Sequence, residues 1–285
     1  MKRTIKSLAK RMLPGPVLRR IRDRLFRTSL DEKFPAVNLE YLPNSIRCHI
    51  DDIPPFDLPN ACKQELVEIT SRNEYLSELH GIARLSKRGG QLFDVGAHAG
   101  IVSALFCAAN PQNRTVCFEP SPSLCSRLEE IREIGNLQDR MLIEPIAIGA
   151  QSSEMTMLVD PIGGFVQSKR FEHSMWGEPT EITVSVETIP QCVERLKISP
   201  DFIKIDIEGY EFEAVQGAMD YLRERRPVLF FELHLDYLEQ RHIAPRKVVQ
   251  MLVDCGYSFY RYSGQVLRPQ DLYDSLANVV RFYCE

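Results

Sequence analysis

The sequence predicts an α/β fold, a mostly parallel sheet with helices on both faces, and three observations predict it. Short apolar runs ending in acids or in a glycine turn (residues 91–95, 114–118, 141–148, 201–207 and 227–234) alternate with segments of helical periodicity. Those runs are apolar on nearly every position, as strands covered on both faces must be. The chain then closes on two strand-like runs, 257–262 and 278–284, separated by a Ser263-Gly264 turn region, which append an antiparallel pair to the parallel sheet.

With 285 residues, 44% hydrophobic and 26% charged, the chain can bury the core of one large α/β domain with an appendage, which excludes disorder throughout. A net charge of −4 and a pI near 5.9 argue against the chain as a whole binding nucleic acid. Eight cysteines occur without a Cys-x-x-Cys pair, and Cys107, Cys117 and Cys125 lie in or beside apolar segments, so reduced buried thiols of a cytoplasmic protein are expected. No run of about 18 apolar residues is present, so no membrane span is expected.

Residues 1–45 read as a basic helical extension and linker, and 46–88 as helices that cover the domain formed by 89–285. Within 1–27, ten Lys and Arg residues accompany Ile5, Leu8, Met12, Val17, Leu18, Ile21 and Leu25 at helical spacing. The segment is expected either to pack on the domain or to bind an anionic membrane face or a partner, which would make the protein peripheral at the inner membrane surface. From 28 to 59 the prolines suggest an irregular linker with one strand around 45–50, and helical periodicity resumes at 61–69 and 75–85.

The run 91–95 passes into Gly96-Ala97-His98-Ala99-Gly100 and then an Ala-rich helix. Gly96 allows the reversal, Gly100 allows the helix to approach the strand, and the first free helical N–H groups face the turn. A dinucleotide fingerprint requires a glycine where His98 stands, so a pyrophosphate is disfavoured and a nucleoside with a carboxylate, of which S-adenosylmethionine is the common example, fits better. Glu119 closes the second strand about 20 residues later, where a ribose-binding carboxylate falls, and Pro120 and a Ser121 or Ser123 cap open the next helix.

The run 141–148 reads as a third strand whose tip, from Ala147 to Gly149, lies beside the adenine. Residues 155–159 and 182–186 alternate like a hairpin, and the stretch between them, with Gly163, Gly164, His173 and Trp176, reads as a lid or a surface loop. The run 201–207 is odd for a central strand because Lys204 and Asp206 share one parity, and Glu232 and His234 do the same in 227–234. Side by side, these strands bring Asp206, Glu208, Glu232 and His234 to the carboxyl edge of the sheet as a general-base or metal-binding cluster. A purely structural alternative pairs Lys204 with Glu232.

Taken together, Asp94-Val-Gly-Ala-His-Ala-Gly100, Phe118-Glu119-Pro120-Ser121, the string from Ile203 to Glu211 and Phe231-Glu232-Leu233-His234 resemble the FkbM-type branch of class I S-adenosylmethionine-dependent methyltransferases over about residues 89–285. The resemblance implies a Rossmann-like seven-stranded sheet with an antiparallel last strand, and O-methylation of a sugar, glycan or other small hydroxylated metabolite. It also implies that Asp94, Gly96, Ala97, His98 and Gly100 shape the cofactor pocket, that Glu119 receives the ribose hydroxyls, and that Asp206 lies by the reactive methyl. His98 departs from the pattern, where the family more often has Asn.

Methyl transfer from a sulfonium is an in-line displacement that needs an aligned acceptor and an outlet for its proton. His234 or Asp206 is the expected base, with Glu208 and Glu232 orienting the acceptor or holding a divalent metal. The rival readings are a nicotinamide-dependent oxidoreductase and a non-catalytic methyltransferase-like scaffold.

Overall fold

The computed structural model describes residues 34–160, 165–166, 178–275 and 277–285. The basic segment 1–27 and the stretch holding Gly163, Gly164, His173 and Trp176 lie outside them.

The first described elements are three antiparallel strands, β1 (Asn38–Tyr41), β2 (Ser45–His49) and β3 (Phe56–Pro59). The sequence reading gave a linker with one strand. Its prolines occupy turns and a strand end, where a missing N–H costs nothing, while Ile46 and Leu58 are fully buried. A short 3₁₀ turn leads into α1 (Lys63–Ser71), and an extended Arg72 separates it from α2 (Asn73–Ser86), whose Leu79, Ile82, Ala83 and Leu85 are buried.

Next come β4 (Gln91–Val95), α3 (Ile101–Ala109), β5 (Arg114–Phe118), α4 (Pro122–Ile134) and β6 (Met141–Glu144). Pro145 ends the third parallel strand early. Ala147–Ile148 is a separate strand, β7, which runs parallel to β10 in a second sheet of order β7-β10-β8-β9, with β8 at Ser153–Val159, β9 at Phe165–Val166 and β10 at Thr180–Glu187. The expected hairpin is there, with Met155 opposite Val184 and Met157 opposite Ile182.

The chain continues through α5 (Ile189–Leu196), β11 (Phe202–Ile205), α6 (Glu211–Arg225), β12 (Val228–His234), α7 (Leu235–Gln240), α8 (Pro245–Asp254), β13 (Phe259–Tyr260), β14 (Val266–Leu267), α9 (Pro269–Tyr273) and β15 (Val279–Cys284). The main sheet has the order β14-β13-β15-β12-β11-β4-β5-β6. From β6 to β12 it is parallel, and the last strand enters antiparallel between β12 and β13. This is the expected Rossmann-like sheet, with the two-residue β14 added as an eighth strand at its edge.

Alternate residues feed two cores, one on each face. Phe202, Phe230 and Tyr283 pack with α2 and α3, whereas Phe93, Phe231 and Phe282 pack with α5, α6 and α8. The order of succession reverses between β4 and β11, so their carboxyl ends open the crevice where ligands of such sheets bind. All eight cysteines are unpaired and all but Cys125 are buried. Among the described residues no helix is long and apolar enough to cross a membrane.

Candidate active site

The turn after β4 is built against two neighbours. Gly96 and Ala97 donate their N–H groups to the Phe118 carbonyl at 3.0 and 3.2 Å, and Asp206 donates its own to Val95 O at 3.1 Å. Gly96 has φ +78°, and a Cβ there would lie 2.0 Å from the Asp206 carbonyl oxygen, so only glycine lets the turn touch the end of β11. Gly100, at φ +70°, serves a different approach from the expected one: its missing Cβ makes room for Leu128 and Ile131 of α4 rather than for the strand.

His98 takes the left-handed conformation at φ +48°, which His adopts more readily than most residues. Its N–H is thereby turned to Glu119 Oε2 at 2.9 Å, while Ser121 N–H donates to Oε1 at 2.9 Å. The Ser121 hydroxyl bonds Ser123 instead of capping α4. Glu119 is 6% exposed, and burial pushes its carboxyl up to about 7 even against those two donors.

Behind the turn, register places Asp94 beside Lys204. Asp94 is fully buried, accepts the Ser103 hydroxyl at 2.6 Å through Oδ2, and has no hydrogen-bond partner at Oδ1, which lies 4.0 Å from Lys204 Nζ. Lys204 bonds Asp206 at 2.9 Å, not Glu232. Burial opposes both charges, but the ammonium, helped by His234, holds the Asp206 carboxyl down at about 2.

Glu232 has another partner: Arg281 of β15, directly opposite it, grips both carboxylate oxygens at 2.8 and 2.6 Å. The same guanidinium reaches Glu78 of α2 at 3.2 Å and lies 4.0 Å from the centre of the Tyr75 ring. Burial raises the proton affinity of Glu78 and of Glu232.

His234 is ringed by acids. Nδ1 lies 2.7 Å from Glu211 Oε1, and Nε2 lies 3.3 Å from Glu208 and 3.8 Å from Asp206. Burial works against its charge, yet these partners lift the imidazole to about 10, so it stands protonated at neutral pH.

Two cavities open on this frame. The first, ≈ 250 Å³, has apolar walls from Phe118, Leu124, Ile146, Ile148, Met155 and Met157, with Glu119, Pro120 and Ala147 among its lining. The second, ≈ 480 Å³, holds more of the charged groups: Lys204, Glu232, His234 and Arg281 are in its lining, with Tyr75 and Tyr237. Gly96, His98, Asp206 and Glu208 line both.

The structure thus gathers most of the expected residues, in a finer arrangement. Glu119, Pro120 and Ala147 face the first cavity; Ala97, Gly100, Glu232 and His234 face the second; Asp94 supports the turn from behind and lines neither. Glu78, Glu211 and Arg281 were missed. Asp206, Glu232 and His234 bring donor atoms within 4.8 Å of one another, a spacing that suits a metal ion. Each is already engaged, by Lys204, Arg281 and Glu211 respectively, so an ion there would have to displace a cation or a proton.

A family profile for the methyltransferase FkbM domain matches residues 94–259, more than half of the chain. The chain belongs to this family. The matched span runs from Asp94 through every charged residue of the cluster except Glu78 and Arg281. The chain is similar to the hexuronic acid methyltransferase AglP of Haloferax volcanii, 25% identical over 169 residues, and spans 63% of that relative's length and 59% of its own. Among solved structures it is similar to the methyltransferase FkbM from Methylobacillus flagellatus (TM-score 0.43, 17% identity, 69% of this chain and 43% of that one). It is also similar to Aeropyrum pernix fibrillarin in complex with natively bound S-adenosyl-L-methionine (TM-score 0.40, 9% identity, 88% of this chain and 100% of that one).

Proposed function

We propose that this FkbM methyltransferase moves the methyl group of S-adenosylmethionine to a hydroxyl of a sugar, a glycan or another small hydroxylated metabolite. The observation that carries this reading is the pair of dissimilar cavities meeting at Gly96, His98, Asp206 and Glu208.

The first cavity fits the cofactor on its own chemistry. Its apolar walls suit a purine, and Glu119 has two carboxylate lone pairs occupied by backbone N–H groups and two left for ribose hydroxyls. The His98 position offers no glycine at which a pyrophosphate could approach the backbone. Gly96 and the main chain at His98, two positions that line both cavities, would hold the amino-acid end, and Asp206 the end nearest the second cavity. When bound, S-adenosylmethionine supplies an activated methyl on a sulfonium that leaves as a neutral sulfide.

The second cavity fits a polyhydroxy acceptor, since the carboxylates in its lining accept hydroxyl hydrogens. Among the acids around His234, Glu208, with a side chain 45% exposed, is the carboxylate most open to an acceptor. Asp206 and the His234 imidazolium fix the field at the junction. A group held near 2 and a group already protonated are both poor proton acceptors, so their work is to orient and to balance charge.

Calorimetry with S-adenosylhomocysteine, run beside an NADH titration, tests the reading, followed by radiomethyl transfer to methyl glycosides and glucuronic acid. The expected result is heat with S-adenosylhomocysteine, none with NADH, and an alkali-stable methyl ether as product. Binding of NADH alone would favour the oxidoreductase, and no binding of either the scaffold.

A further inference from the structure

We infer that His98 is the catalytic group that takes the proton from the acceptor hydroxyl, an assignment that rests on the methyl-transfer reading above. Four residues line both cavities, and they are unequal as bases. Gly96 has no side chain, Asp206 is bound to Lys204 at 2.9 Å, and Glu208 lies 3.3 Å from the imidazolium of His234. The His98 imidazole is the remaining candidate: it is exposed to the cavities, and among the described residues its ring nitrogens have no hydrogen-bond partner.

Its direction is fixed without using the ring. The left-handed backbone at φ +48° and the N–H to Glu119 Oε2 hold residue 98 by its main chain, so the side chain is free for chemistry. The charges that act on the ring come from three elements: Glu65 of α1, Arg127 of α4, and Lys204 and Asp206 of β11 and its exit. Desolvation by the cavity walls is the largest influence on the imidazole and lowers its proton affinity; Glu65 and Arg127 pair with each other, as do Asp206 and Lys204, so their fields offset one another. The direction is the reverse of that at His234 and favours the neutral, proton-accepting ring.

In the step itself the acceptor O–H bond breaks and its proton passes to a His98 ring nitrogen. The oxygen forms its bond to the methyl carbon while the carbon–sulfur bond breaks with its electron pair left on sulfur. The imidazolium then returns the proton to solvent through the open second cavity.

The test uses the full chain labelled with ¹³C-histidine, with His98→Asn to assign the signal; Asn also tolerates the left-handed turn, so the fold is kept. The expected result is a His98 resonance that titrates below the ordinary imidazole value and shifts with S-adenosylhomocysteine, while His234 stays protonated through neutral pH. His98→Asn should bind S-adenosylhomocysteine within a few-fold of the parent and transfer methyl at least ~100-fold more slowly, with the acidic limb of its pH–rate profile gone. A His98 that titrates at or above the ordinary value, or a His98→Asn that keeps the parent rate and profile on any acceptor the parent methylates, overturns the assignment and leaves the methyl-transfer reading standing. Absence of S-adenosylhomocysteine binding by the parent chain overturns both.

Discussion

His234 Nδ1 donates to Glu211 Oε1 at 2.7 Å, a bond made inside the protein between a fully buried acid and a histidine 4% exposed. The same oxygen accepts the Gly209 N–H at 3.0 Å, so Glu211, in the first turn of α6, ties the loop after β11 to the end of β12. Residues that line the cavities are thereby set by one that does not.

Replacing that acid by its amide, Glu211→Gln, removes the charge and keeps the shape. His234 sits at about 10 in the folded chain against an ordinary 6.5, so its contribution to stability is whole below about pH 6.5 and is lost as pH rises toward 10. The variant should unfold about 1–3 kcal/mol more easily near pH 6.5, with the gap narrowing near pH 10. Urea unfolding at both pH values measures this, and an equal gap at both would refute it.

The two turn glycines should differ in their tolerance of alanine. At Gly96 the added methyl meets a backbone carbonyl at 2.0 Å, which cannot move without parting β4 from β11. At Gly100 it meets the ends of Leu128 and Ile131 at 2.6 and 2.9 Å, which can rotate. Gly96→Ala should lose S-adenosylhomocysteine binding and fold poorly, whereas Gly100→Ala should fold at a cost of about 1–3 kcal/mol from strain and crowding. Thermal melts and calorimetry separate the two, and an equal response would count against the contact at Asp206.

Under the proposed function, Glu119 should couple cofactor binding to pH. Its carboxyl, raised from 4.5 to about 7, must shed its proton before both remaining lone-pair positions can receive hydroxyls. Affinity for S-adenosylhomocysteine should therefore strengthen as pH rises through about 7 and level off above it, with proton release visible in buffers of differing ionisation heat. Glu119→Gln should lose this dependence and about 1–3 kcal/mol of stability, because an amide has one acceptor oxygen for the two backbone N–H groups of His98 and Ser121. A pH-independent affinity in the parent would end the idea.

Arg281→Met should cost about 3–5 kcal/mol at pH 8 by stranding Glu78 and Glu232. The loss should be smaller at pH 5, because burial already raises the proton affinity of both acids and lower pH favours their neutral forms. Adding Glu232→Gln should restore part of it. Melting curves that shift equally at both pH values would contradict this.

The legible part of the chain was the part in which local pattern and partner coincide. Asp94, Gly96, Glu119, Asp206 and His234 stand at strand ends, so their meeting followed from the parallel order alone. Lys204 was harder, since the sequence offered Glu232 as its partner, and only the β4–β11 register and the presence of Arg281 turn it to Asp206 and Asp94 instead. Signals for the missed residues existed: Glu78 interrupts the apolar stripe of α2, and Arg281 interrupts the apolar run of β15. Either could have been taken for a surface charge until the helix was placed against that strand. The break at Pro145 was visible too, but the apolar residues on both sides of it disguised two short strands in different sheets as one.

The contact between Gly96 and Asp206 makes the partition between the cavities a single rigid part, whereas the outer wall of the larger one is assembled from α1, α2 and the start of α7. Side-chain changes on those outer helices can therefore alter what the larger cavity admits while the turn after β4 keeps its place against β11. Shape at the rim and shape at the partition are, in this fold, separately adjustable.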